Sequence, residues 1–292
     1  MKKGLCLAGG GVKGAAHIGA IKAFEEENIH FEYVGGTSSG SIVACLYAAG
    51  FSSDEIYNIF KKYCKKIKYV DILQIFKLIF GLLFTGRVII SGLNSGKQIE
   101  KLINKVCNEK NIYNITDIKK TLVIPSVDLC NGNVICFTSC NIENKISDEI
   151  LFVNDIAIGK AVRGSCSYPV VFCPCKYKDT KLIDGGVREN VPWKELKDLG
   201  ADKVINIIFD DDINETCSKN LVEVAGRSLS LIGRELSNYE LEGTDYNIKI
   251  KSNKVGLLDM SKIDELYELG YRQTKMKIKD IKKFQSESLK VH

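Results

Sequence analysis

The sequence predicts an α/β domain built on a mixed, mainly parallel sheet between helical layers. Three stretches carry that expectation. Residues 3–8 and 31–34 are short β-prone runs, each passing through a glycine-rich turn into a helical pattern, and residues 202–209 read as a buried strand. Strand–turn–helix units favour parallel pairing, because a crossover helix returns the chain to the end of the sheet where it began. The chain has 292 residues, 45% apolar and 26% charged, an ordinary globular balance. No repeat, low-complexity run or convincing linker divides it. One domain over residues 1–292 is expected, with the motifs that carry chemistry within 4–200 and a helical part at 220–292.

The first strand ends in Gly9-Gly10-Gly11-Val12-Lys13-Gly14, ahead of a helix with Ile18, Ile21 and Phe24 on one face. Gly9, Gly11 and Gly14 satisfy the G-x-G-x-x-G spacing that cradles a dinucleotide, so an oxidoreductase is a rival class. Against it, the acidic residue that should close the second strand is missing: Val34 is followed by Gly35, and Glu32 precedes the strand's end. Three glycines at a helix N-terminus also present converging N–H groups with the positive end of the helix dipole behind them. That suits an oxyanion as readily as a phosphate.

The second strand runs into Gly36-Thr37-Ser38-Ser39-Gly40, after which Ile42, Val43, Cys45 and Leu46 recur at helical spacing as far as Gly50, placed as a C-terminal cap. Gly36 to Gly40 fit the G-x-S-x-G nucleophile elbow. Its turn is so sharp that side chains two positions either side of the serine would collide, and glycine at both flanks removes the collision. Ser38 is lifted to the C-terminal edge of the sheet, and the Ser39 amide is left to face a developing oxyanion. A solvent-exposed Gly/Ser loop has the same composition, so the elbow needs support from elsewhere in the chain.

Farther along stand five lysines within eight residues, Lys61, Lys62, Lys65, Lys66 and Lys68, and then the most apolar segment of the chain, Ile72 to Phe84. Thirteen residues are too few to span a bilayer as a helix. On a helix, Ile72, Ile75, Phe76, Ile79, Phe80 and Leu83 form one face, Leu73, Leu78 and Leu82 widen it, and Gln74, Lys77 and Gly81 leave a thin polar stripe. Such a helix suits either a lipid-contacting lid or the protein core. Residues 92–107 read as another amphipathic helix, and residues 122–129 and 133–138 flank Asn131-Gly132, a strong hairpin signal. Helix resumes at 155–162. The strand at 202–209 ends in solvent at Asp210, Asp211 and Asp212, and residues 222–239 and 262–284 are helical.

Composition narrows the function classes. A net charge of +5 is small for a dedicated nucleic-acid binder but is compatible with an anionic membrane surface. Lys2-Lys3 precede only five apolar residues, too short a core for a signal peptide. Eleven cysteines, an odd number without zinc-site spacing, suit buried thiols in a reducing cytosol.

The glycine turn G-G-G-x-[K/R]-G followed about twenty-five residues later by G-x-S-x-G resembles the patatin-like phospholipases. The family's third signature, Asp-Gly-Gly, is present as Asp184-Gly185-Gly186 after Leu182-Ile183. The segment from Ala161 to Ser165 leading to Pro169, Phe172 and Pro174 is similar to the one that precedes the family's aspartate. Residues 257–270 look like its C-terminal helix, so the resemblance covers nearly the whole chain. It implies a three-layer α/β/α fold, a dyad of Ser38 and Asp184, and an oxyanion hole at Gly9, Gly10, Gly11 and Ser39. Lys13, Gly14, Gly36, Gly40, Gly185 and Gly186 are supporting motif positions. Lys13 stands where many members carry Arg, which keeps the charge and loses the planar fork.

The histidines agree with a dyad, since a triad of α/β-hydrolase order needs a histidine late in the chain and only His292 follows the acid. His17 reads as a packing residue, and His30 precedes the second strand. The expected activity is hydrolysis of lipid esters: Ser38 attacks the carbonyl, Asp184 accepts its proton, and water releases the acyl group. Acyl transfer to another acceptor on the same residues and a catalytically silent lipid-binding protein are the alternatives beside the oxidoreductase. The expected partners are a lipid ester and, through Lys61 to Lys68 and Ile72 to Phe84, an anionic membrane. No cofactor, metal or nucleic acid is implied, and the chain is expected in the cytoplasm or peripherally on a membrane.

Overall fold

The computed structural model describes residues 1–64, 70–142, 150–210, 221–252 and 255–287. The strands are β1 (Lys3–Leu7), β2 (Tyr33–Gly36), β3 (Thr121–Asp128), β4 (Val134–Thr138), β5 (Ile150–Val153), β6 (Cys175–Tyr177), β7 (Thr180–Asp184), β8 (Lys203–Phe209) and β9 (Tyr246–Ile250). The helices are α1 (Gly14–Glu26), α2 (Ser39–Ala48), α3 (Ser53–Cys64), α4 (Ile72–Thr85), α5 (Lys97–Asn108), α6 (Ile158–Ser165), α7 (Trp193–Asp198), α8 (Leu221–Glu240), α9 (Ile263–Met276) and α10 (Ile278–Ser286). Among the described residues the strands form one sheet in the order β5-β4-β3-β2-β1-β8-β9, with β7 on β3 and β6 on β7. Neighbours from β3 through β2, β1 and β8 to β9 are parallel, whereas β4 and β7 run antiparallel to β3. The sheet is therefore mixed and mainly parallel, as expected.

Helices cover both faces, so the central strands are buried along nearly their whole length rather than at alternate residues, and they are mostly apolar. Leu5 and Leu7 of β1 join a large core with Ile18 and Ile21 of α1, Leu46 of α2 and Leu266 of α9. Cys6 and Ala8 point the other way, into a smaller core with Tyr33, Val123, and Trp193 and Leu196 of α7. The asparagine–glycine hairpin forms between β3 and β4. Cys6, Cys45, Cys64, Cys107, Cys136, Cys166 and Cys175 are buried free thiols.

Three boundaries move from their sequence positions. The helix expected over 92–107 begins at Lys97, because Leu93 and Asn94 donate their amides to Val170 and Val171 instead, at 3.0 and 2.9 Å. The helix expected at 155–162 starts at Ile158, and the stretch 262–284 is two helices meeting at Lys277. Lys65, Lys66, Lys68, Asp211, Asp212 and His292, all singled out above, lie outside the described residues.

The orientation of α4 inverts the usual amphipathic arrangement. Gln74 and Gly81, from the thin polar stripe, face the protein, while Phe76, Phe80 and Leu83 are 66%, 55% and 74% exposed. Burial of the apolar face in the core is thereby ruled out. The helix has 14 residues, and among the described residues no helix is long and apolar enough to cross a membrane.

Candidate active site

Strand register brings the motifs together. Leu7 of β1 pairs with Gly36 of β2, so Gly9 and Ser38 each stand two residues beyond the last paired position, side by side at the carboxyl ends of neighbouring parallel strands. On the other edge of β2, Gly35 is level with Val123 of β3. The short β2 stops there, and β7 arrives from the opposite direction on the same edge of β3, placing Asp184 opposite Ser126. The elbow and the aspartate thus meet end to end, although 146 residues separate them in sequence.

The elbow is strained as its motif requires. Ser38 has φ 52° and ψ −123°, a region that L residues rarely occupy and that marks functional turns. A Cβ on Gly36 would meet the Gly40 carbonyl at 2.5 Å, and one on Gly40 would strike the Leu7 carbonyl. Three contacts hold the serine backbone: its amide donates to Ser165 Oγ at 3.0 Å, and its carbonyl accepts from Ser41 Oγ at 2.6 Å and from the Cys166 thiol at 3.1 Å.

Ser38 Oγ donates to Asp184 Oδ2 at 2.6 Å, while Asp184 Oδ1 accepts the Gly186 amide at 2.9 Å. Asp184 is 2% exposed. Burial pushes its carboxyl up to about 7, against the lowering effect of the hydrogen bonds from Ser38 and Gly186. A carboxylate at this distance can accept the serine proton directly.

The glycine turn lines the same cavity as Ser38 and Asp184. Its amides are not equivalent. The Gly9 amide donates to Asn190 Oδ1 at 2.9 Å, and the Val12 amide donates to the Leu257 carbonyl at 2.8 Å. Gly9 is thus committed to a protein partner, leaving Gly10 and Gly11 between the two anchors. Gly11 has φ 61°, and a Cβ there would strike the Leu257 carbonyl, so the residue is set by packing as well as by any ligand. The Ser39 amide opens α2 and has no intrahelical acceptor. Lys13 Nζ lies 5.8 Å from the centroid of the Phe209 ring, and Gly185 and Gly186 carry the turn out of β7.

His17 is fully buried and held by a hydrogen bond from its Nε2 to the Ala8 carbonyl at 2.8 Å, with its ring against Phe209. Desolvation lowers its pKa to about 4, and no hydrogen bond joins it to Ser38 or Asp184. It is a packing residue, as its place in the sequence suggested.

The cavity measures about 750 Å³. Apolar side chains form one part of its wall, among them Ile42, Phe60, Ile99, Val171 and Phe172, and α8 crosses it as a roof. Gly226, Ser230, Gly233 and Ser237 of α8 line the cavity at helical spacing. Ser165, Cys166, Asn190 and α8 were not anticipated as parts of the site. Asn190 is one polar residue in a loop, and nothing in its local sequence marks it.

The model of the patatin-like phospholipase family matches residues 5–197. The chain belongs to this family. It is 34% identical over 191 residues to the uncharacterized protein YqhO of Bacillus subtilis, covering 64% of each chain. It is 26% identical over 295 residues to lysophospholipase NTE1 of Lodderomyces elongisporus, covering 91% of this chain and 18% of that one. The chain thus matches less than two thirds of the length of either relative. Among solved structures, VipD from Legionella pneumophila aligns with a TM-score of 0.52 at 17% identity over 96% of this chain and 67% of its own. ExoU from Pseudomonas aeruginosa, in complex with SpcU, aligns with a TM-score of 0.52 at 15% identity over 98% and 53%. At such identities these two likenesses concern the fold.

Proposed function

We propose that this chain is a serine acyl hydrolase of lipid esters, in which Ser38 is the nucleophile, Asp184 its general base, and the amides of Gly10, Gly11 and Ser39 the oxyanion hole. The 2.6 Å hydrogen bond from Ser38 to the buried Asp184 carries the reading. Attack of Ser38 Oγ on the ester carbonyl forms a tetrahedral oxyanion as the hydroxyl proton passes to Asp184. Collapse expels the alcohol, which takes that proton, and water then hydrolyses the acyl-serine with Asp184 again accepting a proton. Family membership supports the substrate class. The glycine turn shares its cavity with the serine, which favours this chemistry over the dinucleotide reading. Stoichiometric labelling of Ser38 by a fluorophosphonate, followed by turnover of a panel of lipid esters, tests the proposal. A chain that takes no label and hydrolyses no ester is not a serine hydrolase.

The raised pKa gives a pH dependence. Asp184 must be ionised to act as base, so kcat/KM on a soluble ester is expected to fall about tenfold per pH unit below an apparent pKa of about 7. A flat profile between pH 5 and 8 contradicts the assignment of the base. For stability the sign is opposite, because a carboxyl whose folded pKa lies above its unfolded value favours the fold at low pH. That contribution is lost as pH rises through about 7.

Contact with an anionic lipid surface through α4 belongs to the same proposal. Large exposed apolar patches on soluble folds mark interaction sites, and the start of α4 is linked by backbone hydrogen bonds to a segment that borders the cavity. The Asp71 amide ahead of α4 donates to the Leu93 carbonyl, whose own amide donates to Val170. Val171 and Phe172, just beyond, line the cavity. Lys61 contributes less charge than its position suggests, being paired with Asp264 at 2.7 Å. Replacing Phe76 and Phe80 with Ser is expected to weaken vesicle binding by about tenfold or more and hydrolysis of aggregated lipid in parallel, with soluble-ester turnover and melting temperature little changed. Binding that survives the double substitution contradicts the role of α4.

A further inference from the structure

Six residues beyond Asp184, Asn190 joins the parts of the site that the motifs leave unconnected. Its Oδ1 accepts the Gly9 amide at 2.9 Å, its Nδ2 donates to Ser237 Oγ at 3.0 Å, and its own amide donates to Glu240 Oε1 at 2.9 Å. Glu240 Oε2 accepts the next amide, from Val191, at 3.1 Å. Ser237 and Glu240 both belong to α8. One residue therefore ties the glycine turn after β1 to the loop after β7 and to the roof of the cavity.

We propose that Asn190 is a positioning residue of the oxyanion hole, holding the Gly9 amide so that Gly10 and Gly11 keep theirs directed to the cavity beside Ser38. The inference rests on the Ser38–Asp184 reading. Three successive glycines have more backbone freedom than any other tripeptide, so the chain itself does not secure the direction of their amides. Oxyanion donors accelerate a reaction because they are set before charge develops, and a displacement of about 1 Å costs on the order of 10²-fold. The turn is held at both ends, by Asn190 at Gly9 and by the Leu257 carbonyl at Val12. The near anchor is a side chain whose other atoms grip α8, so the setting of the turn depends on the roof being in place.

The amide is also the right chemistry for this position. Asn190 Oδ1 and Asp184 Oδ1 each lie 3.2 Å from the point where a Cβ on Gly186 would stand. A carboxylate at 190 would accept the same hydrogen bond but set a second negative charge opposite Asp184 across Gly186, which disfavours ionisation of the base. Asparagine anchors the turn without that charge.

The experiment compares Asn190→Ala and Asn190→Asp with the parent on a soluble short-chain ester across pH. Asn190→Ala is expected to lose roughly 10- to 100-fold in kcat with KM changed less than about threefold, from the loss of the two side-chain hydrogen bonds to Gly9 and Ser237 that set the turn. Asn190→Asp keeps the acceptor for Gly9 but loses the Nδ2 donor to Ser237 and adds charge beside Glu240, so it is expected to recover only part of the kcat at high pH, and its acidic limb is expected to move up. A kcat for Asn190→Ala within about threefold of the parent, or a loss carried by KM alone, overturns the proposal. Should Asn190→Ala fail to fold, Asn190→Ser, whose hydroxyl is too short to reach the Gly9 amide, is judged by the same kcat and KM criteria. Retained activity in Ser38→Ala would remove the whole site, whereas an inactive Ser38→Ala beside an unimpaired Asn190→Ala removes only the positioning role.

Discussion

Ser38→Ala is expected to lose roughly 10³-fold or more of its ester turnover while retaining the parent's melting temperature. The serine hydroxyl makes one hydrogen bond, to Asp184, and the strained backbone of the elbow is held by Ser165, Ser41 and Cys166 through the main chain. Removing Oγ thus removes the nucleophile and leaves the scaffold's contacts in place. Turnover of an activated ester, measured with labelling by a fluorophosphonate, checks both halves of the expectation. An alanine variant that keeps most of its activity at unchanged purity would show that another residue attacks, with Ser39 and Ser41 the nearest hydroxyls.

Asp184→Asn should be almost as inactive. An amide is nearly isosteric with the carboxyl and can still accept the Gly186 amide, but it cannot take the serine proton, so the loss falls on proton transfer. Members of one catalytic unit do not contribute additively, and the double variant with Ser38→Ala should be no slower than either single one. The acidic limb near pH 7 should vanish with the carboxyl. At pH 8 the variant should melt higher than the parent, because desolvation has made the charged form the costly one. A double variant far slower than both singles, or a His17→Gln that is as inactive per folded molecule as Asp184→Asn, would instead favour a histidine-based site.

The local chemistry was legible because each signature is forced by short-range geometry. Gly36 is readable as part of an elbow since the collision it avoids, with the Gly40 carbonyl, is set within five residues, whereas Gly40 is required in three dimensions by the Leu7 carbonyl of the neighbouring strand. The strand–turn–helix units at β1 and β2 and the hairpin between β3 and β4 were equally visible, each stated by neighbouring residues. Asp184 was different. Asp-Gly at the end of an apolar run describes many turns, and only the resemblance to a family singled it out.

The sequence by itself determined the class of the fold, the elbow at Ser38 and the glycine turn, since backbone freedom, hydrophobic period and turn chemistry all act over a few residues. Pairing register was decided only in three dimensions. The stop of β2 at Gly36 and the arrival of β7 on the same edge of β3 bring Asp184 to Ser38, and the pairing of Leu7 with Gly36 sets Gly9 beside them. The same holds for which face of α4 is exposed: an apolar helix states that it must meet something apolar, but not whether that is core or lipid. Packing of Gln74 and Gly81 against the body turns the apolar face outward, away from the core. Asn190 is the clearest case, since its importance lies entirely in long-range partners, Gly9 on one side and Ser237 on the other, and a hydrogen-bonding side chain carries no mark in its own sequence of what it will bond.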